Sequence, residues 1–236
     1  AQVRLAAGRK RHVAIVGPAN VGKSTLYNQL VRDPRDLAEV SAVPGTTRVS
    51  RSADAGLFAV VDTPGADAVG AVGEDEKARA FASARAADIL VVVFDATHGI
   101  KLAEEGLFRE LRELERAHVV VLNKIDLVSG ARERERVVAT AARNLGLSAE
   151  QVVACSAKDG DQIERVLLAV AKTEPEIVAA LGAALPAYRR GLAWSATKKA
   201  GATAAAIALA PLPVLDVFPL LAVQSALVLG IARIYG

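Results

Sequence analysis

Residues 17–24 read Gly-Pro-Ala-Asn-Val-Gly-Lys-Ser, and this stretch decides the fold. An apolar run over residues 12–16 precedes it, and a helical pattern over residues 23–32 follows it. The glycines allow backbone N–H groups to turn toward an anion, and the N-terminus of the following helix adds partial positive charge. Lys23 offers an ammonium group to phosphate oxygens, and Ser24 offers a hydroxyl to Mg²⁺. The stretch therefore predicts a strand, a phosphate-binding loop and a helix in direct succession.

Beyond this loop, short apolar runs alternate with helical patterns, which is typical of βαβ units. The predicted strands cover residues 12–16, 49–53, 57–62, 89–95, 118–123 and 151–155. The predicted helices cover residues 23–32, 74–87, 103–115, 131–145 and 161–171. Several strands are nearly unbroken Val/Ile/Leu runs, as in strands that helices cover on both faces. We therefore predict a three-layer α/β fold with a mostly parallel, six-stranded sheet.

The composition favours a folded domain with an apolar appendage. The 236 residues are 52% hydrophobic and 23% charged, which excludes a disordered or fibrous chain. The net charge is +3, and residues 1–175 carry 24 basic and 24 acidic groups, so the whole excess lies in residues 176–236. Cys155 is the single cysteine, which excludes an internal disulfide and indicates a reducing compartment.

Residues 123–126 read Asn-Lys-Ile-Asp and indicate which base the site accepts. Asp126 can accept hydrogen bonds from the ring N–H and the exocyclic amine of guanine, whereas adenine offers no matching donors. Asn123 is expected to join this segment to the phosphate loop. Residues 156–158 read Ser-Ala-Lys after the next predicted strand, and the Ala157 N–H is suited to the guanine oxygen. Together these segments predict a guanine nucleotide rather than an adenine nucleotide.

Two further segments are placed to sense the γ-phosphate. Residues 62–65 read Asp-Thr-Pro-Gly at the end of a predicted strand, so Asp62 can hold Mg²⁺ through water and the Gly65 N–H can meet the phosphate. Residues 44–48 read Pro-Gly-Thr-Thr-Arg in the loop before the second predicted strand, where Thr47 can ligate Mg²⁺. We expect both loops to order with GTP and to relax with GDP.

With these motifs in this order, residues 11–172 resemble the GTPase domain of the Era/TrmE-like P-loop GTPases, in the translation-factor-related class. The resemblance implies GTP hydrolysis with Mg²⁺. It also implies that Asn20, at the fourth position of the phosphate loop, binds a K⁺ ion in place of an arginine finger. A departure from Ras-like proteins is Ala66, which stands where they carry a water-orienting Gln. We therefore expect slow intrinsic hydrolysis, with K⁺ stimulation.

The predicted site residues fall into three sets. The nucleotide contacts are Asn20, Val21, Gly22, Lys23, Ser24, Thr25, Asn123, Lys124, Asp126, Ser156, Ala157 and Lys158. The Mg²⁺ ligands are Ser24, Thr47 and Asp62, and the K⁺ ligand is Asn20. The catalytic groups are Asn20, Lys23, Thr47 and Gly65.

The C-terminal part predicts an apolar helical hairpin. Residues 200–215 and 217–232 contain no charged residue, and prolines at positions 211, 213 and 219 are expected to break the middle. Basic residues stand at the two outer ends, Lys198 and Lys199 before the first stretch and Arg233 after the second, which favours a hairpin with both ends on one side of a membrane. The alternative is a pair of helices that pack on each other or on a partner. Residues 211–236 are similar to a helical domain of uncharacterised family in bacterial membrane GTPases, which is expected to continue beyond Gly236.

We therefore divide the chain into an N-terminal extension (1–10), a GTPase domain (11–172), and a helical connector with an apolar hairpin (173–236). The leading hypothesis is a cytoplasmic GTPase switch whose residues 196–236 bind the inner membrane or a membrane protein. One alternative is an RNA- or ribosome-associated assembly GTPase, and another is a guanine-nucleotide scaffold with negligible turnover. A dimer of GTPase domains is a further expected partner arrangement.

Overall fold

A five-stranded parallel sheet is the centre of the molecule. The computed structural model describes residues 12–30, 58–62, 71–173, 177–178, 181–182, 185–208 and 217–235. Within them the strands are β1 (Val13–Gly17), β2 (Phe58–Asp62), β3 (Ile89–Asp95), β4 (Ala117–Asn123) and β5 (Val152–Ala154), in the order β2-β1-β3-β4-β5. All four pairings are parallel. The strand predicted over residues 49–53 lies outside the described residues.

Helices cover both faces of this sheet. They are α1 (Lys23–Leu30), α2 (Ala71–Ala86), α3 (Leu102–Arg112), α4 (Ala131–Asn144) and α5 (Ile163–Thr173). Side chains of α1 and α5 form one hydrophobic cluster with one face of the sheet, and side chains of α2, α3 and α4 form a second cluster with the other face. Every residue of β3 is buried because it is covered from both sides. The three-layer α/β fold is thus confirmed.

Two C-terminal helices follow, α6 (Arg189–Ala208) and α7 (Val217–Tyr235), and they pack against each other. Two helices were expected, but the predicted break at Pro219 was wrong. Pro219 is the third residue of α7, where the missing N–H has no partner within the helix to lose. Strand β5 also begins later than predicted, because residues 149–151 form a 3₁₀ turn closed by Ser148 and Gln151.

The base of this helical hairpin belongs to the core of the α/β fold. Leu192 of α6 and Ile234 of α7 are 2% and 1% exposed, and both lie in the cluster formed by α1 and α5. A Cβ on Gly182 would lie 2.6 Å from the Ile234 carbonyl oxygen, so the two backbones touch there. The sequence-based boundary after residue 172 therefore does not coincide with a break in the hydrophobic core.

The far end of the hairpin is exposed. Among the described residues, α7 is the helix long and apolar enough to cross a membrane, with a mean hydropathy of 1.6 over residues 218–235 and only 6% of that stretch buried. Phe218 is 77% exposed and Val228 is 66% exposed. The base of the hairpin is therefore buried in the core, whereas its far end is exposed, although both ends are apolar.

Candidate nucleotide site

The phosphate loop leaves β1 at the point where the sheet order reverses. Strand β1 lies between β2 and β3, and in open parallel sheets ligands bind at such a point, beyond the carboxyl ends of the strands. Gly17 has φ +151° and a Cβ there would collide with the Val93 carbonyl oxygen. A Cβ on Gly22 would collide with the side-chain amide of Asn123. Glycine is thus required at both positions by close contacts as well as by backbone angle.

Lys23 is the first residue of α1 and is 4% exposed. Its Nζ donates to the carbonyl oxygens of Gly17, at 2.7 Å, and Pro18, at 2.5 Å. The ammonium group therefore contacts the backbone of the phosphate loop.

Asn123 joins the phosphate loop to the two base segments. It is 2% exposed at the end of β4. Its Nδ2 donates to the Val21 carbonyl oxygen at 2.8 Å, and its Oδ1 accepts from the Ala157 N–H at 2.9 Å. The predicted link between Asn123 and the loop is present. The Ala157 N–H, predicted to reach the guanine oxygen, is engaged by Asn123 here, so a base contact requires that N–H to be shared or released.

Asp126 lies in a short 3₁₀ turn (Ile125–Leu127) directly after Lys124. Its Oδ1 is buried and accepts no hydrogen bond among the described residues. A buried carboxylate oxygen without a donor costs free energy, and a ligand that brings an N–H to it recovers that cost. The arrangement is therefore suited to a base with donors on its edge.

The Ser-Ala-Lys segment is held by its own hydrogen bonds. Ser156 Oγ donates to Asp159 Oδ2 at 3.1 Å and accepts from the Asp159 N–H at 3.2 Å. Cys155 is fully buried beside this turn, and burial, with smaller effects from Asp161 and Asp126, raises the pKa of its thiol to about 12. The thiol therefore stays protonated and donates to Asn123 Oδ1 at 3.7 Å. Lys158 is exposed at the end of the segment.

Asp95 is a site residue that the sequence analysis missed. It ends β3, pairs in register with Asn123, and is 5% exposed. Its carboxylate lies 2.5 Å from Lys124 Nζ and accepts from the Thr97 N–H at 2.8 Å. Burial acts to raise the pKa of Asp95, but the donors Lys124 and Thr97 outweigh it, so the pKa lies below its ordinary value.

Lys124 connects Asp95 to the phosphate loop. Besides its contact with Asp95, Lys124 Nζ donates to the Asn20 carbonyl oxygen at 2.7 Å. Lys124 has φ +64° and Asn20 has φ +63°, both in the left-handed region. The Asp95–Lys124–Asn20 chain, called the brace below, thus fixes two left-handed residues. Position at the carboxyl end of a buried strand was the signal that could have identified Asp95.

The remaining predicted residues are placed as follows. Ser24 and Thr25 lie in the first turn of α1, with Ser24 half-buried and Thr25 exposed. Asp62 ends β2 and pairs in register with Gly17, which places its backbone beside the start of the phosphate loop. Thr47 and Gly65 lie outside the described residues.

A cleft of about 400 Å³ lies elsewhere, and the residues that line it include His118, Val153 and Arg165. His118 is near the amino end of β4, whereas the phosphate loop lies beyond the carboxyl ends of the strands. The candidate nucleotide site is therefore identified by its hydrogen-bonding groups and not by cavity size.

Comparison with known proteins agrees with this geometry. Residues 12–124 match the family model described as 50S ribosome-binding GTPase. The chain carries a P-loop GTPase domain. The GTPase domain is 38% identical over 124 residues to GTPase Der of Clostridium kluyveri and 39% identical over 119 residues to GTPase Der of Vibrio cholerae. These alignments cover 49% and 48% of this chain, but only 28% and 24% of the relatives.

Two solved structures of Era share the fold. Era from Aquifex aeolicus bound to GDP and AlF4⁻ has a TM-score of 0.54 and 28% identity, covering 69% of this chain and 56% of that chain. Era in complex with MgGDPNP and nucleotides 1506–1542 of 16S ribosomal RNA has a TM-score of 0.50 and 25% identity, again covering 69% and 56%. The chain thus spans about half the length of these structures and about a quarter of the Der relatives.

Proposed function

We propose that the protein is a GTP-binding and GTP-hydrolysing switch. The observation that carries this proposal is the buried Oδ1 of Asp126, which accepts no hydrogen bond among the described residues. Guanine presents a ring N–H and an amine that suit a carboxylate, and adenine does not. The likeness of the GTPase domain to Der and Era supports the same choice of nucleotide.

The residues present fit Mg²⁺, which prefers oxygen ligands. Ser24 follows the phosphate loop, and Asp62 ends the strand that pairs with the loop's first residue. These two, with Thr47, would hold the ion, which supplies positive charge to the phosphate oxygens when bound. Lys23 would move from the Gly17 and Pro18 carbonyls to the phosphates and neutralise charge beside them.

We further propose that Asn20 supports catalysis through K⁺. Asn20 is exposed at the top of the phosphate loop, and its backbone is held by Lys124. A monovalent cation there would stabilise charge that develops on the bridging oxygen, in a chain where Ala66 cannot orient water. The backbone brace leaves the Asn20 side chain unconstrained by that bond, so it can serve as a ligand.

Single-turnover hydrolysis in K⁺ and in Na⁺ tests this mechanism. We expect K⁺ to raise the rate at least about tenfold, which corresponds to roughly 1.4 kcal/mol of transition-state stabilisation. Asn20→Ala should remove the difference with little change in GDP affinity. Asn28→Ala, at an exposed position of α1, is the matched control and should keep it. Equal rates in both ions would refute the K⁺ role, and no turnover in either would favour the scaffold alternative.

We also propose that the hairpin couples the nucleotide state to the inner membrane at its cytoplasmic face, through residues 196–236. The support is the exposed apolar surface of α7 and the lack of charge over residues 217–232. The base of the hairpin is anchored in the core beside α1, the helix that begins at the phosphate loop. Tyr188, just before α6, donates from its hydroxyl to the Gln29 carbonyl oxygen of α1 at 3.4 Å. A conformational change at the phosphate loop can therefore reach the hairpin through α1 and Tyr188.

A second candidate function is assembly of the ribosome or another RNA particle. The family model's description as 50S ribosome-binding and the structure of Era with 16S ribosomal RNA favour it. Co-sedimentation of the full chain with ribosomal subunits, compared with flotation on vesicles, separates the two. Nucleotide-dependent association with subunits and none with vesicles would replace the membrane proposal.

A further inference from the structure

A pocket of about 230 Å³ lies where the C-terminal end of α5 meets α6 and α7. Its floor is apolar and includes Leu192 and Ile234, which are almost fully buried. Gly230 of α7 also lines it, and a Cβ added at Gly230 would meet no atom within 4 Å. The pocket is thus open at α7 and closed at its base by the hydrophobic core.

Three basic side chains, one from each helix, line this pocket: Lys172 of α5, Lys199 of α6 and Arg233 of α7. Among the described residues that line it there is no Asp or Glu. Basic groups of three separate helices thus surround an apolar floor, and the described part of the lining adds no carboxylate to them. Such a site suits a ligand that combines an anionic group with apolar chains.

The helices beyond these basic residues carry no charge within the described part of the hairpin. Residues 200–208 of α6 extend about 13 Å past Lys199, and residues 217–232 of α7 extend about 24 Å from Arg233, at about 1.5 Å per residue. One leaflet contributes about 15 Å of a bilayer's hydrocarbon core of about 30 Å. The basic residues therefore lie at the level where headgroups would meet a hairpin that enters from one side.

The outer face of α7 supplies the surface for acyl chains. Phe218, Leu221, Val228 and Leu229 are 58–77% exposed, while Leu227, Gly230 and Ile231 on the opposite side are half-buried. The exposed face begins next to the pocket and runs along the uncharged length of α7. An anionic group in the pocket would therefore place attached apolar chains along this face.

We propose that the pocket between α5, α6 and α7 binds the phosphate group of an anionic phospholipid. Lys172, Lys199 and Arg233 contact the phosphate, and the exposed face of α7 contacts the acyl chains. This site deepens the proposed membrane coupling and rests on it. It specifies that the membrane partner is an anionic lipid and that these three basic residues recognise its phosphate.

Vesicle flotation of the full chain tests the pocket. The vesicles are phosphatidylcholine alone and phosphatidylcholine with phosphatidylglycerol, and the variants are Lys199→Glu and Lys198→Glu. Both substitutions change the net charge equally at neighbouring exposed positions, but Lys198 does not line the pocket and lies 5.6 Å from the Trp194 ring centroid. We expect Lys199→Glu to lower binding to the anionic vesicles at least about fivefold and Lys198→Glu less than about twofold.

Gly230→Glu is a second variant, since it places a carboxylate in the pocket without a clash at Cβ. It should lower binding to anionic vesicles as Lys199→Glu does. Lys199→Arg, which keeps the positive charge, should bind these vesicles like the wild type. Equal losses for Lys198→Glu and Lys199→Glu, or equal wild-type binding to both vesicle types, would overturn the pocket while leaving membrane association in place. No flotation on either vesicle type would overturn the membrane proposal as well.

Discussion

The carboxyl edge of the sheet and the α6–α7 hairpin each leave one kind of group without a partner. At the sheet edge, Asn123 and Asp95 are buried and hydrogen-bonded, and the buried Oδ1 of Asp126 is the exception among the described residues. In the hairpin, Leu192 and Ile234 are buried, and the far part of α7 is exposed. The first region lacks a hydrogen-bond donor, and the second lacks apolar cover.

This difference indicates the chemical class of each ligand. An unpaired carboxylate oxygen beside a phosphate loop is satisfied by a polar base with N–H groups. In the proposed function, the exposed apolar face with basic residues at its base is covered by lipid with anionic headgroups. The hydrophobic cluster of the α/β core includes residues of both α1 and the hairpin, as the proposed membrane switch requires.

The largest expected effect is at the sheet edge. Asp126→Asn should weaken GDP binding at least about a hundredfold, or about 2.7 kcal/mol, because the amide presents an N–H to the guanine donors. The same change should favour xanthine nucleotides, whose edge carries an acceptor there. Titration calorimetry with GDP and xanthosine diphosphate measures both affinities. Asp161→Asn, which removes an exposed carboxylate of the neighbouring loop, should leave GDP affinity nearly unchanged.

The contrast between the two ends of the hairpin predicts an effect on stability. Leu192→Ala should lower the free energy of unfolding by about 2–4 kcal/mol, because it opens a cavity in the shared core. Leu221→Ala removes the same atoms from a residue that is 58% exposed. It should change the free energy of unfolding by less than about 0.5 kcal/mol. Urea unfolding of both variants checks the contrast. Similar losses would mean that the far end of α7 is packed in solution, for example against a second copy.

The smallest expected effect concerns the brace. Asp95→Asn should weaken GDP binding about three- to tenfold, because Lys124 loses its ionic partner while its bond to Asn20 remains. Asp88→Asn, at the opposite end of the sheet beside His12, is the control and should not change GDP affinity. An unchanged affinity for Asp95→Asn would show that the brace is not needed for binding.

The pH dependence of the brace has a definite sign. Since the pKa of Asp95 is lowered below 3.8 by folding, its contribution to stability is present at pH values above that ordinary value and is lost as the pH falls through the lowered pKa. The difference in unfolding free energy between wild type and Asp95→Asn should therefore be constant from about pH 8 to about pH 5 and shrink below about pH 4. A difference that already shrinks near pH 6 would contradict the assigned charge state.

Contiguous motifs made much of this molecule predictable. The loop over residues 17–24 and the valine-rich strands specify their local structure within a few residues, so the α/β fold and the Asn123 link followed from sequence. Asp95 was missed because its role depends on the register between β3 and β4, which no local pattern encodes. The anchoring of the hairpin was missed for the same reason, since Ile234 meets Gly182 only after the chain has turned back.

Calorimetric titration of the unaltered chain with GDP, inosine diphosphate and ADP, each with Mg²⁺, tests the central claim most directly. Asp126 should distinguish them by the donors on each base, so inosine diphosphate, which lacks the exocyclic amine, should bind about tenfold or more weaker than GDP. ADP, which offers no matching donor, should bind at least about a hundredfold weaker. Equal affinity for ADP and GDP would contradict the assignment of Asp126 and, with it, the guanine site.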